Sequence, residues 1–326
     1  MKVLVTGATG FVGQWLTKRL VADGYDVRIL CRTQPKVLHS NVEVAIGDVT
    51  NLNSLIAATK NVHTVFHLAG VIGYSAEMRQ QMILANVVGT SNVIEAIEKS
   101  KCSKLVYMSS VVAIGAGFTK SELLNENADF NLSKLNLGYF ETKHRAEQLV
   151  REATTSGRIQ AVMINPSTIY GPGDATKGSR KTQLKVAMGK FPFYTPGGVS
   201  VVHISDVIDA LIKVWQIGRL GERYIISGEN LTIKNLFEII AEEAHVSPPK
   251  IYMPKSIVLG IGKVTDLLKH FNVKGPIPSE NAWASVLYHW FDNSKAKKEL
   301  GLNPKPAKIA IHESVQWMKD NHLLNV

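Results

Sequence analysis

One short stretch near the start of the chain limits what it can become. Lys2-Val3-Leu4-Val5-Thr6 is an apolar run of β character, and Gly7-Ala8-Thr9-Gly10-Phe11-Val12-Gly13 follows it directly. An amphipathic helical pattern then continues through Trp15, Leu16, Leu20 and Val21, with Gly24 as its stop. Glycines between a first strand and a first helix let the backbone approach a pyrophosphate closely. The helix N-terminus adds unpaired N–H groups and a positive dipole end. A dinucleotide site at Gly7, Thr9, Gly10, Phe11, Val12 and Gly13 is the expectation.

Further β-type runs at 26–30, 42–45, 64–67, 104–108 and 158–164 are separated by helical patterns. That alternation predicts an α/β protein with a doubly wound parallel sheet, the Rossmann fold. Residues 1–170 are expected to form the dinucleotide-binding core, with a later stretch, about 199–230, returning to it. From Gly171 onward, loops rich in Gly, Pro and Lys alternate with short helices, so 171–326 reads mainly as a smaller α/β cap for substrate. Asp206 and Thr232 read as helix N-caps, and 305–323 as a closing helix.

The end of the second run is where the adenosine ribose of a dinucleotide would lie. An acidic residue there suits free ribose hydroxyls, but this chain has Cys31-Arg32 and then Lys36, with Asp26 at the opposite end. Two cations and no carboxylate suit a 2′-phosphate, so NADP(H) is expected over NAD(H). The fourth run leads into Leu68-Ala69-Gly70, a small-residue turn over which a cofactor can pass, and His67 before it reads as a packed structural histidine.

Two groups supply chemistry. Ser109-Ser110 ends the fifth run, at the sheet edge where open α/β sheets bind ligands. Tyr139-Phe140-Glu141-Thr142-Lys143 lies in a segment with helical character over 133–156, so the phenol and the ammonium share one face. A neighbouring cation favours the phenolate, so Tyr139 is expected to have a lowered pKa and to serve as acid or base. The serines have no G-x-S-x-G elbow and no His/Asp pair, which argues against a hydrolase.

The glycine spacing G-x-x-G-x-x-G, Asn86-Val87-Val88-Gly89-Thr90-Ser91-Asn92, Ser109-Ser110 with Gly115, Tyr139 with Lys143, Asn165-Pro166-Ser167-Thr168-Ile169-Tyr170-Gly171-Pro172-Gly173 and Val202-His203-Ile204-Ser205-Asp206-Val207 together carry a resemblance. The chain resembles the extended short-chain dehydrogenase/reductases, and within them dihydroflavonol reductase-like and 3β-hydroxysteroid dehydrogenase-like members. That resemblance implies that Asp48, followed by Val49, meets the adenine amino group, that Asn86 anchors backbone near the nicotinamide, and that Pro166 borders it. It assigns the catalytic hydroxyl to Ser110 rather than Ser109, beside Tyr139 and Lys143, with Lys143 on the nicotinamide ribose. Asn165 stands where arginine is usual. The implied activity is hydride transfer between NADP(H) and a small-molecule carbonyl/alcohol pair. A homodimer paired through helices near 77–99 and 135–156 is also implied.

The rival reading is a nucleotide-sugar epimerase or dehydratase, whose family members place an arginine four residues before the histidine of V-H-V-x-D to grip a pyrophosphate. Here that position is Val199, leaving Arg180 or Arg223 to serve instead. A non-catalytic NADP-binding regulator is the third reading, and retention of Tyr139 and Lys143 argues against it.

Composition narrows the rest. With 326 residues, 45% of them hydrophobic and 20% charged, the chain can bury a large core. Cys31 and Cys102 each lie in or beside an apolar run, which argues against a disulfide framework, and no metal-type spacing of Cys or His is present. The net charge of +10 is spread without a basic block, so no nucleic-acid partner is expected. The first strand begins at Lys2 and no apolar run has the length of a membrane span, which fits a reducing cytoplasm. Residues 256–271 mix apolar and basic side chains and read as cap packing rather than a membrane contact; Phe118, Phe191, Phe193 and Tyr194 hint at a greasy pocket or, equally, at cap packing.

Overall fold

The computed structural model describes residues 1–35, 41–176, 180–269, 271, 273 and 275–324. Its centre is a seven-stranded, wholly parallel sheet built from β1 (Lys2–Thr6), β2 (Asp26–Cys31), β3 (Val42–Ile46), β4 (Thr64–His67), β5 (Lys104–Met108), β6 (Ala161–Pro166) and β7 (Arg223–Ile226). The spatial order is β7-β6-β5-β4-β1-β2-β3, a doubly wound sheet whose direction reverses between β1 and β4. Strands of a parallel sheet are covered on both faces, which is why β1, β4, β6 and β7 are apolar and buried almost throughout.

One face is covered by α1 (Phe11–Ala22) and α4 (Ile204–Ile217), the other by α2 (Gly89–Ser100) and α3 (Gly138–Thr155). In α1 the buried stripe Phe11, Val12, Leu16 and Leu20 keeps helical spacing, and the chain leaves the helix through Asp23 and Gly24, the latter at φ +81°. The strand β7 and helix α4 lie beyond residue 200, whereas Gly198–His203 and Glu229–Thr232 on either side of them pair in a separate sheet.

The remaining strands form small sheets. Gly198–His203 pairs with Thr168–Tyr170, Glu229–Thr232 and Tyr288–His289, and carries Val201 into a separate apolar core with Leu236, Phe237, Ile240 and Ile311. The helices α5 (Lys255–Lys269) and α6 (Ser279–Val286) pack on each other through Val258, Gly262, Ala282 and Val286.

Several local readings change. The segment 133–156 is a 3-10 turn, Ser133–Leu135, then Asn136 at φ +54°, and only then α3. Leu137 before α3 offers no side-chain cap; the Gly138 N–H instead donates to Glu280 Oε2 at 3.1 Å, and Arg79 ties Glu280 to Asn136. β6 begins at Ala161, not 158, because the Arg158 and Ile159 N–H groups still donate to Ala153 at the end of α3. Asp206 does not cap α4. His203 does, through Nδ1 to the Ser205 N–H, while Asp206 Oδ2 accepts from Lys305 N at 2.8 Å. Thr232 does cap its helix, and the closing helix is Ala307–Asp320.

Candidate active site

The glycine turn opens the site. Gly7 has φ +71°, and a Cβ there would sit 2.7 Å from the Ala69 N; a Cβ on Gly13 would sit 2.1 Å from the Gly7 carbonyl oxygen. The turn is thus folded tightly enough that only hydrogen fits at both places. Thr9 and Gly10 are exposed above it, Phe11 and Val12 are buried below, and no side chain caps α1. Exposed backbone at an uncapped helix start fits a pyrophosphate. Leu68 and Ala69 face this turn from the end of β4, with the Ala69 N–H donating to Thr6 Oγ1 at 3.3 Å, and Gly70 lies beside Asn86 and Lys143.

Toward the other end of the sheet, Arg32 is exposed just past β2 and makes no hydrogen bond or ion pair among the described residues. Lys36 lies outside the described residues. Asp48 is half-buried; its Oδ1 accepts from the Thr50 N–H and hydroxyl, both at 2.9 Å, and Val49 packs into the core against Gly89.

Asn86 is buried in a single π-helical stretch, Ile83–Val88, between α-helical turns. Its side chain accepts from Val71 N at 2.7 Å, donates to Val71 O at 2.9 Å and reaches Thr142 Oγ1 on α3 at 3.1 Å. It therefore fixes the loop after Gly70 to the helix that carries Tyr139. His67 is wholly buried between Thr6 Oγ1 at 2.7 Å and Thr90 Oγ1 at 3.1 Å, and burial, with Lys143 adding to it, pushes its pKa down to about 3. A neutral, doubly bonded imidazole is a packing element.

Ser110, Tyr139 and Lys143 come together. The Ser110 hydroxyl accepts from the Val112 N–H at 3.4 Å and lies close enough to the Tyr139 phenol to act on its pKa. Ser109 is buried and its hydroxyl has no partner among the described residues, so of the two serines Ser110 is the one in the cleft. Lys143 Nζ donates to the Met108 carbonyl at 2.9 Å and lies 5.3 Å from the Tyr107 ring centroid. Pro166 closes this edge at the end of β6.

One expectation about this pair fails. The Tyr139 phenol is raised above its ordinary pKa, not lowered, because burial disfavours the phenolate and the Tyr74 phenol adds to that, while the nearby Ser110 hydroxyl opposes it. The lysine gives up its proton more readily: burial brings Lys143 down to about 8, with the Glu147 carboxylate acting in the opposite sense. Its ammonium is committed to the Met108 carbonyl rather than to the phenol.

Glu147 was not among the expected residues. It lies four residues past Lys143, so Tyr139, Lys143 and Glu147 form one buried polar stripe on α3. Its Oε1 pairs with Arg223 Nη1 at 2.9 Å, and its Oε2 accepts from Asn165 Nδ2 at 2.6 Å. Asn165 Nδ2 also reaches the Ser110 carbonyl at 3.0 Å. The Tyr-x-x-x-Lys-x-x-x-Glu spacing was the signal available for it.

Both arginines considered as phosphate ligands are already engaged. Arg223 donates to Glu147 and to the Glu126 and Ala128 carbonyls. Arg180 is buried against the Tyr170 ring, 3.8 Å from its centroid, donates to the Ile169 carbonyl and lies near Asp174. Of the two readings of the aromatic residues, packing within the cap fits Phe191, Phe193 and Tyr194. Phe191, Phe193 and Tyr194 associate with cap residues such as Phe237 and Tyr252, whereas Tyr74, 6.0 Å away edge to face, Val71, Met78 and Trp283 line the cluster that holds Tyr139.

A family model for the NAD dependent epimerase/dehydratase family matches residues 3–227. The chain is 28% identical over 331 residues to sterol demethylase protein B of Methylococcus capsulatus, covering 99% of this chain and all of the other. It is 29% identical over 275 residues to dihydroflavonol 4-reductase of Gerbera hybrida, covering 77% and 74%. The crystal structure of gox2253 superposes with a TM-score of 0.87 at 31% identity, covering 99% of both chains. The chain belongs to the NAD dependent epimerase/dehydratase family and is an NAD(P)-dependent enzyme of the extended short-chain dehydrogenase/reductase type.

Proposed function

We propose that the chain is an NADP(H)-dependent reductase of a ketone or aldehyde on a largely apolar substrate. The observation that carries the reading is the Ser110 hydroxyl set beside the Tyr139 phenol at the C-terminal sheet edge, with Lys143 one turn away on α3. The bound dinucleotide would supply the hydride. Tyr139 delivers a proton to the substrate oxygen, and Ser110 donates a hydrogen bond to that oxygen as its charge grows.

The preference for NADP(H) rests on Arg32, a free guanidinium among the described residues at the strand end where a ribose phosphate would lie. The apolar substrate class rests on Val71, Tyr74, Met78 and Trp283 around the phenol. A nucleotide-sugar substrate is disfavoured because Val199 has no phosphate ligand to offer, and Arg180 and Arg223 are committed elsewhere. Turnover of NADPH with a panel of aryl and alicyclic ketones, set beside nucleotide sugars, tests this. Activity with the ketones and none with the sugars is expected; conversion of a nucleotide sugar would overturn the substrate class.

A further inference from the structure

The helix α5 has two contrasting sides. Val258, Gly262 and Thr265 face inward, where a Cβ on Gly262 would already touch Ala282 and Ser279 of α6 at 2.9 Å. The outward side is apolar as well: Ile257, Val264 and Leu267 are exposed, the last two at 56% and 61%, and Phe271 just beyond the helix is 71% exposed. Ile257, Val264 and Leu267, seven and three residues apart, form one stripe along the helix, and Phe271 lies just past its end. Ile251 and Tyr252, immediately before the helix, are half exposed too.

Charge around the stripe is mostly positive, with Glu77 as the exposed exception. Lys250 and Lys263 are exposed, Lys255 sits over the Phe118 and Trp283 rings, and Lys269 lies at the helix end, paired with Glu77. The one acidic residue of the helix, Asp266, is turned inward to the Ser279 N–H. A contiguous exposed apolar stripe costs free energy in water and needs a cover. Lysines beside it, on a chain of net charge +10, make that cover an anionic surface.

We propose that the outer face of α5, with Phe271, docks onto an anionic lipid bilayer and lies in its interface. No described helix is long and apolar enough to cross a membrane, so the contact is peripheral. The stripe is not isolated from the candidate site: Trp283 belongs both to the cluster beneath α5 and to the one that holds Tyr139. Docking is independent of which substrate is reduced.

Flotation of the full chain with vesicles tests the proposal. It should float with an equal mixture of phosphatidylcholine and phosphatidylglycerol, less with rising salt, and not with phosphatidylcholine alone. The pair Leu267→Glu and Phe271→Glu should lose flotation by more than about tenfold with an unchanged thermal midpoint; the milder pair Val264→Ser and Leu267→Ser should lose part of it. Failure of the wild type to float overturns the proposal, as does a Glu pair that floats normally. A wild type that is dimeric in solution and becomes monomeric in the Glu pair would assign the stripe to a second copy of the chain instead.

Discussion

Asn165 Nδ2 lies 2.6 Å from Glu147 Oε2 and so ties the strand that ends at Pro166 to the helix that carries Tyr139 and Lys143. The same nitrogen holds the Ser110 carbonyl, and Arg223 closes the other side of the carboxylate. One buried anion thereby sets both the backbone of the serine and the charge felt by the lysine. The carboxylate thus has a neutral amide from Asn165 on one oxygen and the guanidinium of Arg223 on β7 on the other.

That arrangement gives a pH prediction. Lys143 titrates at about 8 with Glu147 holding it up, so kcat/KM, which reports the free enzyme, should fall as pH rises through that value. Glu147→Gln removes the negative charge and keeps the shape, and the alkaline limb should move to lower pH. A pH profile of kcat/KM in both proteins checks it. A limb that stays in place would separate Glu147 from the lysine.

Arg32 should decide the cofactor. Arg32→Ala is expected to weaken NADPH by roughly tenfold while leaving NADH nearly unchanged, since the guanidinium has no other partner among the described residues. KM values for both cofactors in both proteins measure this.

Buried histidines should govern acid stability. His67 is lowered to about 3 and His289 to about 4, both first by burial, from an ordinary value of 6.5. The unfolded chain therefore binds protons below pH 6.5 that the folded chain refuses. Stability is complete above that pH and declines as pH falls toward 4, by about 1.4 kcal/mol per pH unit for each histidine. Thermal midpoints over that range should fall, and His67→Gln should flatten the slope.

How much of this was legible in the sequence depends on how local the cause was. The strands at 64–67 and 104–108 were readable to the residue because short apolar runs between helical patterns have few other uses in a parallel sheet. The glycine turn was readable because its strain is local, as Gly7 at φ +71° shows. The start of α3 was not, because Glu280, far along the chain, supplies the cap. The π-helical turn at Asn86 was equally hidden, its side chain being held by Val71 and Thr142. The direction of the Tyr139 shift was misjudged because spacing on a helix says nothing of burial, which raises the phenol here, nor of the Met108 carbonyl that takes the Lys143 ammonium. The outward side of α5 was read as packed because an apolar pattern does not reveal which side is covered.

The central claim is that the Tyr139 phenol delivers the proton. Tyr139→Phe removes that oxygen alone, so the measurement is NADPH binding by fluorescence titration beside turnover in the same preparation. The account predicts unchanged binding with kcat reduced by about two to four orders of magnitude. Near-normal turnover in that variant would contradict it.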